Sequence, residues 1–300
     1  MDIRQLKTFV EVAKLKSFSK AAESLFLTQP TVSNHIQSLE KEFDTVLINR
    51  LSKGITLTDA GQILYTNALD MINTYETAMY QLDSYKGRVE GHLEISASSV
   101  PRKHLLPVLI RSFLLKYPDV SFSVSDKDSL QIIEDILSGD TEFGFVGAKY
   151  DTRNLTYVPV MEDNLVLIAP KDQFLGKNDY ESVSLESIID HPFIFREEGS
   201  GTRESVRLAM KNSGFDLERL KIVAWIEDVE AIKRMVALGV GSSFISEKDI
   251  DSGPIIEGLK YKVLKVDDIE LSRKFYLVHH KSRKLSPIGE SFRASIKSLV

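Results

Sequence analysis

Ile3, Leu6, Phe9, Val10 and Ala13 recur at steps of three and four, which predicts one apolar face of an amphipathic helix at the start of the chain. Ser17-Phe18-Ser19 interrupts it, and Ser19 is the expected N-cap of a short second helix through Leu25. Ala21 and Ala22 in that helix are small enough to let another helix approach closely. A tight turn over Phe26 to Gln29 follows. Pro30 fits the first turn of a third helix, where its missing N–H costs nothing, with Thr28 or Gln29 as the cap and an end near Phe43. Val32, Ile36, Leu39 and Phe43 fall on one stripe, while Pro30, Asn34, Gln37 and Lys41 project from the opposite side, flanked by Thr31 and Ser38.

Two short strand-like pieces come next, Val46 to Arg50 and Gly54 to Thr58, joined through Ser52-Lys53-Gly54 as a hairpin or wing. From Asp59 to Lys86 the pattern is helical throughout, with Ile63, Leu64, Ala68, Met71, Ile72, Tyr75, Ala78, Met79, Leu82 and Tyr85 on one seam. At ~1.5 Å per residue this helix spans roughly 40 Å. A helix of that length either buries its seam against a copy of itself, as a dimerisation element, or packs on its own domain.

Beyond Gly87 and Gly91 strands and helices alternate. Leu93, Ile95 and Ala97 alternate with polar residues, Pro101 opens a helix that ends before Tyr117-Pro118, and a strand Val120 to Ser125, a helix Ser129 to Ser138 stopped by Gly139, and a strand Phe143 to Gly147 follow. Right-handed crossovers make such a run a parallel sheet. A second run has strands at Leu165 to Ala169, Phe193 to Arg196, Ile222 to Ile226 and Ser242 to Ile245, with helices at Leu185 to Ile189, Thr202 to Lys211 and Val229 to Leu238. A last strand, Phe275 to His279, and a helix after Pro287 are expected to return to the first lobe, giving two α/β lobes joined by two crossings.

Composition narrows the function classes. At 300 residues, 43% hydrophobic and 27% charged, the chain is long enough for two or three compact units. It has no cysteine, which excludes disulfide scaffolds, thiolate nucleophiles and sulfur-ligated zinc. The polar opening Met1 to Lys7 lacks the apolar run of a signal peptide or membrane span, so the expected location is the cytoplasm, without a membrane partner. A net charge of −5 disfavours a protein that coats nucleic acid all over and leaves room only for a local basic surface.

Three short helices with tight turns, a polar face on the third and a cationic wing fit the helix-turn-helix mode of DNA binding. Gln29, Asn34 and Gln37 carry amides that pair bidentately with adenine edges, Thr31 reaches a thymine methyl, and Ser33, Arg50 and Lys53 hold phosphates. Spacing alone also leaves open a helical hairpin that docks a protein. On that reading the α/β lobes belong to a small-molecule binding or transport component, or to an enzyme.

The stretch Phe18-Ser19-Lys20-Ala21-Ala22-Glu23-Ser24-Leu25-Phe26-Leu27-Thr28-Gln29-Pro30-Thr31-Val32-Ser33, with Ile36, Leu39 and Glu40, resembles the N-terminal motif of LysR-type transcriptional regulators, and Leu57-Thr58-Asp59-Ala60-Gly61 resembles that family's junction with its linker helix. The resemblance covers the whole chain. It implies an N-terminal all-α winged helix-turn-helix (1–58), a long linker and dimerisation helix (59–87), and an α/β, two-lobed effector-binding domain like the type 2 periplasmic binding proteins (91–300, with lobe I 91–162 and 268–300 and lobe II 163–267). It also implies double-stranded promoter DNA as partner, a homodimer paired into a homotetramer, contact with RNA polymerase, and no enzymatic activity. DNA contacts map to Thr28, Gln29, Pro30, Thr31, Ser33, Asn34, Gln37, Ser38, Arg50 and Lys53. Asn34 stands where the family often has Arg or Lys, Asp44 where Gly is usual and Ile48 where Phe is common, which bears on the operator sequence.

Gly199-Ser200-Gly201-Thr202-Arg203 at a helix start offers free N–H groups and a positive dipole end to a small anion, and Ser98, Ser99 and Val100 precede another helix start. Both follow strands at their carboxyl ends, where open α/β sheets bind ligands. Each residue taken singly reads equally well as an ordinary cap or turn. By resemblance to the family's sensors, effector contacts map to Ser98, Val100, Pro101, Ser129, Gly147, Arg196, Ser200, Gly201 and Thr202, and the Gly-Ser-Gly-Thr-Arg run is similar to members that sense sulfur compounds or other small metabolite anions.

Gly239-Val240-Gly241-Ser242-Ser243 lacks a phosphate-binding Lys and reads as a tight turn. His279-His280 has no carboxylate cluster and points to opposite faces of a strand, so it reads as structural. With no Gly-x-Ser-x-Gly elbow and no His-Glu-x-x-His helix, the sequence assigns no catalytic residue, metal or cofactor.

Overall fold

Asp2 begins the first helix with a capping box: its carboxylate accepts the Arg4 N–H at 2.9 Å while Gln5 Oε1 accepts the Asp2 N–H at 3.0 Å. This is the start of a computed structural model that describes residues 1–51, 54–85, 90–150, 152–172, 182–250 and 261–296. Contacts divide it into two units, Met1–Val89 with Ser282–Ser291, and Glu90–Lys281 with Phe292–Val300. Among the described residues no helix is long and apolar enough to cross a membrane.

In the first unit, α1 spans Ile3–Leu15, α2 Phe18–Ser24 and α3 Gln29–Glu42. The cap of α2 is Ser17, not Ser19 as the sequence suggested, because Ser17 Oγ accepts the Lys20 N–H at 3.2 Å and Ser19 is already inside the helix. Thr28 caps α3 through the Thr31 N–H at 3.3 Å, with Pro30 in the first turn. Phe9, Val12, Ala21, Val32, Ile36 and Leu39 form the core, so the stripe predicted on α3 packs at Val32, Ile36 and Leu39, whereas Phe43, at the helix end, is exposed. Glu40 fastens the wing to α3, its Oε1 accepting the N–H groups of Leu47 at 2.9 Å and Ile48 at 3.3 Å. The wing itself is antiparallel, β1 (Ile48–Leu51) against β2 (Gly54–Leu57), and begins two residues later than the sequence suggested.

Thr58 starts the long α4 (Asp59–Tyr85), accepting the Gly61 N–H at 2.9 Å and donating to the Val46 carbonyl at 2.7 Å. The apolar seam of α4 divides. Leu64, Ala68 and Ile72 join the core of their own unit, whereas Ile63, Met71, Tyr75, Met79 and Leu82 stay exposed. Gly61 sits where a Cβ would lie 2.1 Å from the Leu47 carbonyl oxygen. Gly61→Ala therefore forces helix and wing apart and is expected to destabilise the protein by about 1–3 kcal/mol, read as a lower urea midpoint. An unchanged midpoint would show that the junction is loosely packed.

The second unit is built on a sheet ordered β4-β3-β5-β12-β6-β11-β7, where β3 is Gly91–Ala97, β4 Val120–Asp126, β5 Phe143–Val146, β6 Leu155–Pro170, β7 Ser182–Val183, β11 Tyr261–Val266 and β12 Ser272–His280. β3 pairs in parallel with β4 and β5, as the right-handed crossovers through α5 (Leu106–Lys116) and α6 (Ser129–Ser138) require. β6 is much longer than the Leu165–Ala169 segment expected: its first half pairs with β12, and its second half with β10 (Ser243–Ser246) and β11. One strand thus runs through both halves of the unit.

Phe113, Phe122, Phe143 and Phe292 pack ring against ring, which seats α10 (Pro287–Ile296) on the first half. The second half has β8 (Pro192–Phe195) and β9 (Lys221–Trp225) in parallel, with α7 (Leu185–Ile188), α8 (Gly201–Asn212) and α9 (Val229–Ala237). Its larger core holds Leu165, Leu167, Phe193, Phe195, Met210 and Phe244.

Candidate functional site

Two separate surfaces carry the residues singled out from the sequence. On α3, Gln29, Pro30, Asn34, Gln37 and Ser38 are exposed, together with the cap Thr28, while Thr31 and Ser33 are half-buried. Some of this polarity is used locally: Thr31 and Thr28 share a hydroxyl hydrogen bond of 2.8 Å, and Ser38 Oγ donates to the Asn34 carbonyl at 2.8 Å. The side-chain amides of Gln29, Asn34 and Gln37 remain on the open face. His35 is turned the other way and meets Thr8 Oγ1 of α1 at 2.8 Å, which locks α3 in rotation. Arg50 lies on β1 opposite Ile55. Its side chain, and the whole of Lys53, fall outside the described residues. Phe26, in the turn expected before α3, is 96% exposed and held at φ +53°. Its position within the Leu-Phe-Leu run of a polar turn was the available signal.

The second surface is a cavity of about 300 Å³ within the second unit, at the lower end of the range for small-ligand sites. Ser98, Ser99 and Val100 reach it from the end of β3, Ser129 from the start of α6, Gly147 from the end of β5, Arg196 from the end of β8, and Ser200, Gly201 and Thr202 from the start of α8. Pro101 does not line it. It is buried at the first position of a π-helical turn, Pro101–Leu105, and serves to start that turn.

The start of α8 is held tightly by the opposite wall. Leu130 N–H and the Tyr150 hydroxyl donate to the Gly199 carbonyl at 3.3 and 3.0 Å. Burial, with Glu204 and Asp128 nearby, raises the Tyr150 pKa above the ordinary phenol value, so the group stays protonated as a donor. Gly199 adopts φ +89°, and a Cβ there would come within 2.6 Å of Asp128 Oδ1. Gly201 is equally confined, with Ser129 Oγ 2.9 Å and the Gly147 backbone 3.0 Å from where its Cβ would be.

Two features suit the cavity to a polar group. Ser200 is the N-cap of α8 but makes no side-chain cap bond, so the first-turn N–H groups are not closed off by their own cap. Ser200 Oγ and Ser98 Oγ are buried and have no hydrogen-bond partner among the described residues. Buried hydroxyls without partners are costly unless a ligand or water satisfies them.

Sequence reading missed the floor of the site. Arg273 of β12 is buried, with Nε donating to Asp163 Oδ2 at 2.8 Å and Nη1 to Thr202 Oγ1 at 3.0 Å, over the ring of Phe275. Burial pulls its pKa down, and Asp163 opposes that. Ser246 Oγ donates to the other Asp163 oxygen at 2.7 Å, so β6, β10, β12 and the start of α8 meet at one buried pair. Arg102, Lys103, Asp126, Lys127, Asp128, Gln131, Glu197, Glu227, Asp228 and Val229 complete the lining. Among the described residues no group of His, Asp or Glu is arranged to hold a metal ion.

The helix-turn-helix family description for bacterial regulatory proteins of the lysR family matches residues 3–62, and the LysR substrate binding domain matches residues 86–300. The chain is a member of the LysR family. It is 34% identical over 294 residues to an uncharacterized HTH-type transcriptional regulator of Methanocaldococcus jannaschii, covering 97% of this chain and 96% of that one. It is 31% identical over 293 residues to the HTH-type transcriptional regulator CysL of Bacillus subtilis, covering 98% and 96%. Among solved structures, a full-length OxyR variant from Pseudomonas aeruginosa has the same fold, with a TM-score of 0.77, 19% identity and coverage of 100% and 94%. The regulatory domain of CcmR from Synechocystis PCC6803, in complex with 2-PG, gives 0.61 at 26% identity over 70% of this chain and 97% of that one. The LysR-type chain is accordingly a DNA-binding transcription regulator with an effector-binding domain, not an enzyme.

Proposed function

We propose that this LysR-type regulator reads its operator through the exposed face of α3 and reports on a small molecule held in the cavity of its second unit. The carrying observation for the first part is that the α3 face opposite the core stripe offers side-chain amides to solvent beside a β wing. A helix of this width fits the major groove, where such amides pair with adenine. Thr28, Pro30, Thr31 and Ser38 frame that contact, and Ser33, Arg50 and Lys53 hold flanking phosphates. The exposed seam of α4 takes the same seam of a second copy, and dimers pair into tetramers on an interrupted inverted repeat. Regulation through RNA polymerase and a cytoplasmic location follow from that role.

The effector sits between a lobe made of 91–162 and 268–300 and a lobe made of 163–267. Its carboxylate or other oxyanion takes the uncapped start of α8 with the hydroxyls of Ser98 and Ser200. Ser99, Val100, Ser129, Gly147, Arg196, Gly201 and Thr202 close round it. That the related CcmR regulatory domain was solved with 2-PG supports a small-molecule occupant here.

Ligand shifts lobe closure, which changes the spacing of the dimers and the bend of the DNA, a population shift driven by unequal affinity for two arrangements. Gel mobility of circularly permuted promoter fragments tests this. The bend angle should change when a compound that raises the melting temperature of the protein is added. An angle that stays fixed at saturating ligand would refute the mechanism.

A further inference from the structure

The cavity is lined by five cations and five carboxylates, which are engaged unequally. Every cation of the lining already faces a carboxylate: Arg102 pairs with Asp126, Lys127 with Asp135, Arg196 with Glu197 through two bonds of 2.7 Å, and Arg273 with Asp163. Lys103 lies 3.7 Å from Asp249 and 4.0 Å from Glu230. The lining carboxylates are not all matched in return. Asp128 and Asp228 are used as helix caps, accepting the N–H groups of Gln131 at 2.9 Å and Ala231 at 2.7 Å. Glu227 also lines the cavity and pairs with no cation or donor among the described residues. The cavity therefore has an anion-accepting end, made of the uncapped start of α8 and the unpartnered, buried hydroxyls of Ser98 and Ser200, and one exposed carboxylate, Glu227, without a partner among the described residues.

A plain anion would satisfy the first and leave the second without a partner. We infer that the effector is a zwitterion, a small α-amino acid or a close derivative, with its carboxylate at the start of α8 and its ammonium group on Glu227. This rests on the reading of the cavity as the effector site and names the class of ligand for it. A cavity of about 300 Å³ admits a molecule of that size. An ammonium group supplies donors to a carboxylate that otherwise has only water, and a site built to accept an N–H discriminates strongly against an analogue that lacks it.

The test is calorimetric titration of the full chain with the standard L-amino acids, each compared with its matched 2-hydroxy acid, alongside succinate and inorganic phosphate. The expected result is that at least one amino acid binds about tenfold or more tightly than its 2-hydroxy counterpart, the range for a charge-assisted hydrogen bond. Glu227→Gln, a substitution at an exposed position, should erase that difference and leave the 2-hydroxy acid unaffected. Amino-acid binding that is indifferent to Glu227→Gln overturns the assignment. Binding of 2-hydroxy acids, succinate or phosphate as tight as that of any amino acid also overturns it. In either case the cavity reading itself stands if Ser98→Ala with Ser200→Ala abolishes the binding, and falls if it does not. If no compound of the panel binds, the zwitterion assignment and the cavity reading both fall.

Discussion

Arg273→Met is expected to lower the stability of the second unit by about 3–5 kcal/mol, the range for removing one member of a buried ion pair. The reason is Asp163, whose side chain is wholly buried and would keep a charge facing only the Ser246 hydroxyl. The neighbouring Thr202 would lose a partner at the same time, so the start of α8 should loosen. Thermal or urea unfolding followed by circular dichroism reads the loss. Combining Arg273→Met with Asp163→Leu should recover much of it, because replacing both members by apolar groups of similar size is often close to neutral. If the single substitution changes the midpoint little, the pair is hydrated and does not organise the floor of the cavity.

That pair also illustrates what local sequence could not supply. Its members are separated by more than a hundred positions, and neither Asp163 nor Arg273 belongs to a motif. Each sits in a segment where polar residues interrupt the apolar alternation, so the pattern predicts β6 only from Leu165 and β12 only from Phe275. The interruption is explained by pairing: Glu162 and Asp163 lie opposite Lys274 and Arg273 across the two strands. β11 escaped notice for a similar reason, since Lys262 and Lys265 break up Val263, Leu264 and Val266.

The helices of the first unit were readable because their signals are local. A periodicity of 3.6 with Pro30 in the first turn located α3 almost to the residue. Ser17 against Ser19 could not be settled by composition, since both are good caps and only the backbone decides which lies outside the helix. Ser98, Ser200 and Gly201 were readable because they sit at strand-to-helix turns. The place of Glu227 in the cavity lining was not, because Glu227-Asp228 before a helix start reads equally well as an ordinary solvated cap.

Replacing the amides of α3 by Gln29→Ala, Asn34→Ala and Gln37→Ala together should remove most operator discrimination. Each bidentate base contact contributes about 1–3 kcal/mol, so the loss is on the order of a hundredfold or more in the ratio of specific to random duplex affinity. All three positions are exposed on a helix whose opposite face forms the core, and the fold should be retained, which circular dichroism checks. Arg50→Ala provides the contrast. It should weaken operator and random DNA alike and reduce the slope of affinity against salt by about one. A triple variant that still prefers its operator would mean that α3 does not read bases.

The most direct measurement exploits the absence of cysteine from the chain, which makes any introduced thiol unique. Asn34→Cys on the full protein, mixed with operator duplexes that carry a thiol-tethered base in the major groove, should form a disulfide cross-link at one or two base positions per half-site. Lys211→Cys, at an exposed position of α8, serves as the control and should not. Cross-linking of the Asn34 variant no better than that of the control would contradict the placement of α3 against base edges.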